Sequence, residues 1–120
     1  MKKHIITLCF ILITICLFGK CRQNCNVQYR AGYGWSKTYT VQVTFEGGGE
    51  LNQATGTYNY DSYAYYAVIF WGEGEASVIK LYNSIICGGY VTCECLNYTY
   101  QMYGGRDQAQ REWQIYISPY

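Results

Sequence analysis

Thr38-Tyr39-Thr40-Val41-Gln42-Val43-Thr44-Phe45 alternates apolar and polar along its length: Tyr39, Val41, Val43 and Phe45 fall on one side of an extended chain, and Thr38, Thr40, Gln42 and Thr44 on the other. Successive side chains of a strand leave it on opposite faces, so this pattern predicts an antiparallel strand with one face buried. Gly47, Gly48 and Gly49 break it, and the polar stretch from Glu50 to Gly56 reads as a loop or a weak edge segment.

A second strand region begins at Thr57 to Tyr60, and after the turn residues Asp61 and Ser62 comes the most apolar run, Tyr63 to Trp71. Its consecutive Ala67, Val68, Ile69 and Phe70 predict a central strand covered on both faces. Gly72-Glu73-Gly74-Glu75 then reverses the chain into Ala76 to Leu81. Beyond a break at Asn83 and Ser84, Ile85 to Cys87 favours β structure, and Gly88-Gly89 suits a reversal into a long strand from Tyr90 to Met102. Gly104 and Gly105 open the polar loop Arg106 to Gln110, and Arg111 to Ile117 closes the series with Trp113, Ile115 and Ile117 on one face. No stretch between residues 20 and 120 carries a helical period. Five to seven short strands joined by glycine turns predict an all-β fold, a small antiparallel meander closing as a barrel or a sandwich in a single domain spanning 20–120.

The first residues have a different character. Lys2, Lys3 and His4 precede an uncharged apolar run from Ile5 to Phe18, the basic and apolar regions of a signal peptide, with a cut after the small residue Gly19. A membrane-spanning helix needs about 20 apolar residues, more than this run supplies. Residues 1–19 are thus expected to be a signal peptide and the rest to be secreted or held in the cell envelope. Leu17-Phe18-Gly19-Lys20-Cys21 invites comparison with the lipobox of bacterial lipoproteins, in which a small residue precedes the lipidated cysteine. Lys20 stands in that place, which favours an ordinary exported Cys21, with a lipid on Cys21 as the alternative and the only route to a membrane.

Of seven cysteines, Cys9 and Cys16 fall in the leader. Export makes disulfides the expected state of the remainder. Cys25, Cys87, Cys93 and Cys95 are the candidates, Cys25 pinning the start of the domain onto the late strands, and a lipid on Cys21 would let these four pair completely. Cys93 and Cys95, two apart in a strand, share a face and look elsewhere for partners. Their spacing to Cys87 does not match a zinc site, and the sole histidine, His4, is in the leader.

Chemistry is narrowed mainly by absence. Without histidine the domain lacks the usual general base, the Ser-His and Cys-His pairs and the commonest metal ligand. Gly47 to Gly49 has no following Lys and Ser or Thr of a phosphate loop, so no cofactor is implied. With Lys2 and Lys3 removed, seven basic residues face eight acidic ones, which offers nucleic acid no basic field. A glycosidase using two carboxylates among Glu46, Glu50, Asp61, Glu73, Glu75, Glu94, Asp107 and Glu112 is the enzymatic alternative. Arg106, Asp107 and Gln108 form a polar loop cluster, which a turn explains through Asp107 bonding its own backbone. Asn97-Tyr98-Thr99 fits an N-glycosylation acceptor.

The positive feature is tyrosine, 15 in all, with Tyr58, Tyr60, Tyr63 and Tyr65 crowding toward Trp71. Rigid rings with polar tips suit a protein partner or a glycan, although tyrosine also packs half-buried sheet surfaces. The sequence therefore predicts a non-enzymatic binding protein with an aromatic face built from these five residues. An inhibitor of a secreted hydrolase, presenting a glycine-rich loop, is the alternative.

Overall fold

The structure, a computed structural model, describes residues 21–83, 87, 91–99 and 101–117. The expected signal segment 1–19, the Ile85-Ile86 stretch and the expected Gly88-Gly89 reversal lie outside them. The elements in chain order are β1 (Cys21–Ala31), β2 (Gly34–Trp35), β3 (Tyr39–Gly47), α1 (Gly48–Thr55), β4 (Tyr65–Gly72), β5 (Glu75–Leu81), α2 (Cys93–Thr99), β6 (Met102–Arg106) and β7 (Glu112–Ile117).

All pairings are antiparallel, in the order β2-β1-β3-β4-β5-β6-β7, and β7 returns to β1 from Cys25↔Ile117 to Tyr29↔Trp113. The meander thus closes into a six-stranded barrel, β7 covering the β1 edge that an open sheet would expose. Alternate residues fill it: Cys25, Val27, Val43, Phe45, Ala67, Ile69, Ile79, Tyr103 and Ile115 are all wholly buried. Gly105, in β6 where a loop opening was expected, is needed by this packing, because a Cβ there would stand 2.3 Å from the Lys80 carbonyl oxygen of β5.

The stretch from 38 to 45 forms its strand, with Val43 and Phe45 inward. Thr44, on the polar face, is buried as well, as is Glu46. The reason is a second layer: Leu51 of α1 packs with Tyr66, Val68 and Val78 on the outer side of the sheet, with Tyr60 and Ala64 against them. This covers β4 on both faces, as its apolar run requires, and it replaces the expected loop at 50–56 with a helix. The triple glycine opens α1 instead of merely breaking β3, since Glu50 Oε1 accepts the Gly47 N–H at 2.9 Å and Gly56 closes the helix at φ +69°.

A larger departure is α2, which occupies the middle of the predicted Tyr90–Met102 strand. Thr92 caps it, its Oγ1 accepting the Cys95 N–H at 3.1 Å, and Leu96 with Val91 reaches the core at the barrel end formed by Cys21, Phe45 and Tyr103. Residues two apart in a helix point roughly 200° apart. Cys93 and Cys95 therefore diverge, Cys93 bonding Cys21 and Cys95 bonding Cys87.

These bonds correct two expectations. Cys25 is a free, buried thiol, because it sits mid-barrel opposite Val41 and Ile117 with no second cysteine in register. Cys21 takes the bond expected of Cys25, because it lies at the barrel end that α2 covers, and its sulfur is then unavailable to a lipid. The two disulfides accord with an oxidising location.

Candidate functional site

At the opposite end of the barrel, aromatic residues stand near the ends of β1 and β4 and at the starts of β3 and β7: Tyr29, Trp71, Tyr39 and Trp113. The rings close a circuit around the mouth. Centroids lie 6.3 Å apart for Tyr29 and Tyr39, 5.7 Å for Tyr39 and Trp71, 6.0 Å for Trp71 and Trp113, and 5.3 Å for Trp113 and Tyr29. Such contacts rigidify the rim beyond simple burial. The Tyr39 phenol is held above its ordinary pKa, first by its side-chain hydrogen bond with Tyr29 and then by burial, so it stays protonated at any physiological pH.

The indole N–H groups are both anchored. Trp71 Nε1 donates to Ser77 Oγ and Trp113 Nε1 to Asp107 Oδ2, each at 2.9 Å. Asp107 Oδ1 accepts from the Ala109 and Arg111 N–H groups at 2.9 Å each, making the 107–111 loop a tight carboxylate-centred turn. Gln108 lies along β5 like an added strand, accepting from the Val78 N–H and donating to the Ala76 carbonyl, while Arg106 Nη1 donates to the Gln110 carbonyl. The Arg106-Asp107-Gln108 cluster is thus spent on holding the rim. It leaves Asp107 no lone oxygen for acid–base work.

Cations lie over the rings on one side of the mouth. The Arg111 guanidinium is 4.6 Å from the Tyr29 centroid, Lys37 Nζ 5.1 Å from Tyr39, and the Arg30 guanidinium 5.3 Å from Trp35. Glu73 and Glu75 occupy the β4–β5 turn on the other side, Glu73 in a left-handed conformation at φ +51°.

Beyond the rim, β1 and β2 continue as a two-stranded ribbon. Arg30↔Trp35 and Ala31↔Gly34 pair only with each other, and Gly32, at φ +59°, makes the reversal. The partner strand gains one residue between Trp35 and Tyr39, a bulge held by Ser36, whose N–H donates to the Tyr29 carbonyl and whose Oγ accepts the Tyr29 N–H. Tyr33 at the tip is 108% exposed, and a Cβ added to Gly32 or Gly34 would touch nothing within 4 Å.

The aromatic face expected from sequence is dispersed. Only Trp71 reaches the mouth. Tyr65 begins the same strand six residues earlier, about 20 Å away at strand rise, and packs toward the core near α2's end. Tyr60 meets Tyr66 edge-on at 5.3 Å in the outer layer, its phenol pushed up by burial first and then by Tyr66 and Glu46. Tyr58 and Tyr63 are almost fully exposed in the segment before β4. Beside them Asp61 is held below the ordinary carboxylate range, first by the Tyr63 N–H and then by Lys80 at 3.4 Å, a turn and ion-pair arrangement with no second carboxylate in it.

Sequence reading missed Tyr29, Tyr39 and Trp113 as site residues, and Tyr33 and Trp35 as a projecting tip. Alternation alone places Tyr39 and Trp113 on buried strand faces, and the further signal is that each stands at the start of its strand. Among the described residues no three His, Cys, Asp or Glu side chains converge as metal ligands would. Comparison with known protein families, curated proteins and solved structures finds no match, so the reading of the site rests on its own residues.

Proposed function

We propose that this protein is an exported, non-enzymatic binding domain that docks onto a macromolecular partner through the mouth end of the barrel. The observation carrying this reading is the closed circuit of Tyr29, Tyr39, Trp71 and Trp113 with Arg111 and Lys37 laid over two of its rings. Tyr, Trp and Arg dominate the energetically important positions of interfaces because rigid rings and planar cations lose little freedom on docking. A rim already immobilised by Ser77 and Asp107 loses less still.

The test is the retention of extracellular proteins and of a neutral and acidic glycan array on the immobilised domain. Trp71→Ala should lower retention at least about tenfold, and Tyr58→Ala with Tyr63→Ala should leave it unchanged. The opposite pattern would place the binding face on the segment before β4 and end this reading. The inhibitor alternative is favoured by one feature, the ribbon projecting past the rim with a glycine on each side of Tyr33. A carboxylate glycosidase gains no comparable support, since Asp107 is engaged by three N–H donors.

A further inference from the structure

We infer that the partner is a protein with a concave, acidic-lined cleft, and that the ribbon at residues 30–35 is the wedge that enters it. This inference rests on the proposed docking of the mouth end. It adds which element leads, and the shape and charge of what receives it.

Shape comes first. A ribbon paired only with itself offers a partner two edges, two faces and a tip. A specific interface buries about 800 Å² on each side, far more than a six-residue tip touching a flat surface can supply. Only a surface that rises on both sides of the ribbon reaches the rim residues and buries Tyr33 and Trp35 together. The ribbon is built to keep its form on entry: Ser36 bonds both backbone groups of Tyr29, Gln28 Nε2 donates to the Ser36 carbonyl at 3.0 Å, and Arg30 lies on Trp35.

Charge comes second. Arg30 and Lys37 flank the ribbon and Arg111 stands over Tyr29 at its base, just before β7, while Glu73 and Glu75 lie across the mouth at the β4–β5 turn. The side that leads is therefore cationic in a domain whose net charge after loss of the leader is slightly negative. Complementary potential requires acidic walls in the cleft, which would raise the rate of encounter and make it salt-sensitive.

A glycan fits the same surface less well. Sugar stacking needs open ring faces, whereas the rim rings pack on one another and two of them lie under cations, and of the rings on this surface Tyr33 is the most exposed. Where the cleft is a catalytic one, the docked ribbon makes this chain an inhibitor of that enzyme.

The experiment places a photo-cross-linking phenylalanine analogue at position 33, 71 or 58 of the mature protein and irradiates each in the secreted-protein fraction of the source organism, with the cross-linked peptides mapped by mass spectrometry. Support requires cross-links from position 33 that map to an acidic-lined cleft. Tyr33→Ala, at a fully exposed site where folding is not at stake, should weaken that complex by about thirtyfold. Arg30→Gln with Lys37→Gln should slow association about tenfold and flatten its salt dependence. Cross-links from 71 without 33 would overturn the wedge and leave the mouth as the docking face. Cross-links from 58 alone would overturn both readings. Glycan-array binding lost on Trp71→Ala, with no protein cross-link, would overturn the protein partner while keeping the mouth.

Discussion

Replacing Asp107 by Asn tests whether the 107–111 loop is a scaffold of the rim. The carboxylate receives three N–H donors: Ala109 and Arg111 on Oδ1 and the Trp113 indole on Oδ2. Asparagine keeps one acceptor oxygen. If that oxygen serves the two backbone groups, the amide NH2 meets the indole N–H donor to donor, at a tryptophan only 2% exposed. If it turns to the indole, the NH2 meets two backbone donors, which is worse. Losing a hydrogen bond to a charged acceptor and leaving a buried donor unpaired costs about 2–4 kcal/mol. For a domain near 100 residues that lowers Tm by roughly 10–20 °C. Asp107→Ala, which removes all three bonds, should cost about 1 kcal/mol more. Urea unfolding with the disulfides intact, followed by tryptophan fluorescence, gives the numbers. The pairing with Trp113 is isolated by a cycle: in a Trp113→Phe background the cost of Asp107→Asn should fall to about 1 kcal/mol. A variant within about 0.5 kcal/mol of wild type, or an undiminished cost in the Phe background, would refute the scaffold argument.

The two disulfides close loops of very different length, 72 and 8 residues in separation. On the chain-entropy model, Cys21→Ser with Cys93→Ser should lose about 4 kcal/mol and Cys87→Ser with Cys95→Ser about 2.5 kcal/mol, and denaturant midpoints that reverse this order would count against an entropic origin. Burial pushes the Cys25 thiol up from 9.0 to about 12. With the thiol neutral in both states, stability is undiminished by Cys25 below pH 9, and it falls as pH climbs toward 12 because only the unfolded thiol ionises in between. At pH 8 iodoacetamide should leave Cys25 unmodified in the folded protein and label it once guanidinium unfolds the chain; rapid labelling of the native state would show that the barrel interior opens.

The parts of the fold legible in the sequence are those where one face is buried and the other is not. β3, β4, β5 and β7 follow from alternation and glycine turns, and they suffice for an all-β meander. The helices were not legible for separate reasons. α1 begins in glycines, and its buried Leu51 and Ala54 become a signal only when the outer face of β4 needs a cover. α2 lies in residues of high strand preference, and what overrides that preference is the Thr92 cap and the two disulfides pulling Cys93 and Cys95 apart. Within the candidate site, Trp71 was visible as an unusual aromatic, but the company it keeps depends on strand ends meeting across the barrel. No local window contains Tyr29, Tyr39, Trp71 and Trp113 together.

β1 is the element that decides between barrel and sandwich and that assembles the site. Its inward positions, Cys21, Gln23, Cys25, Val27 and Tyr29, alternate with Arg22, Asn24, Asn26 and Gln28, a period-two pattern muted by the polar Gln23 and by cysteines that are easily read as staples alone. Without it, β3 and β7 would be the two edges of an open sheet. With it, Val27 pairs with Tyr39 on one side and Ile115 on the other, and the barrel shuts. The same strand then runs two residues past its last β7 partner, and the Ser36 bulge lets that excess pair with Gly34 and Trp35 without disturbing the register below. A strand that must hold barrel register cannot easily shift or flex at its end. The ribbon is therefore braced by the core through Tyr29, whose ring stacks on Tyr39 and packs at a tilt against Trp113 and whose backbone holds Ser36. Stiffness at a projecting tip lowers the entropy lost on docking, and here it follows directly from the way the barrel closes.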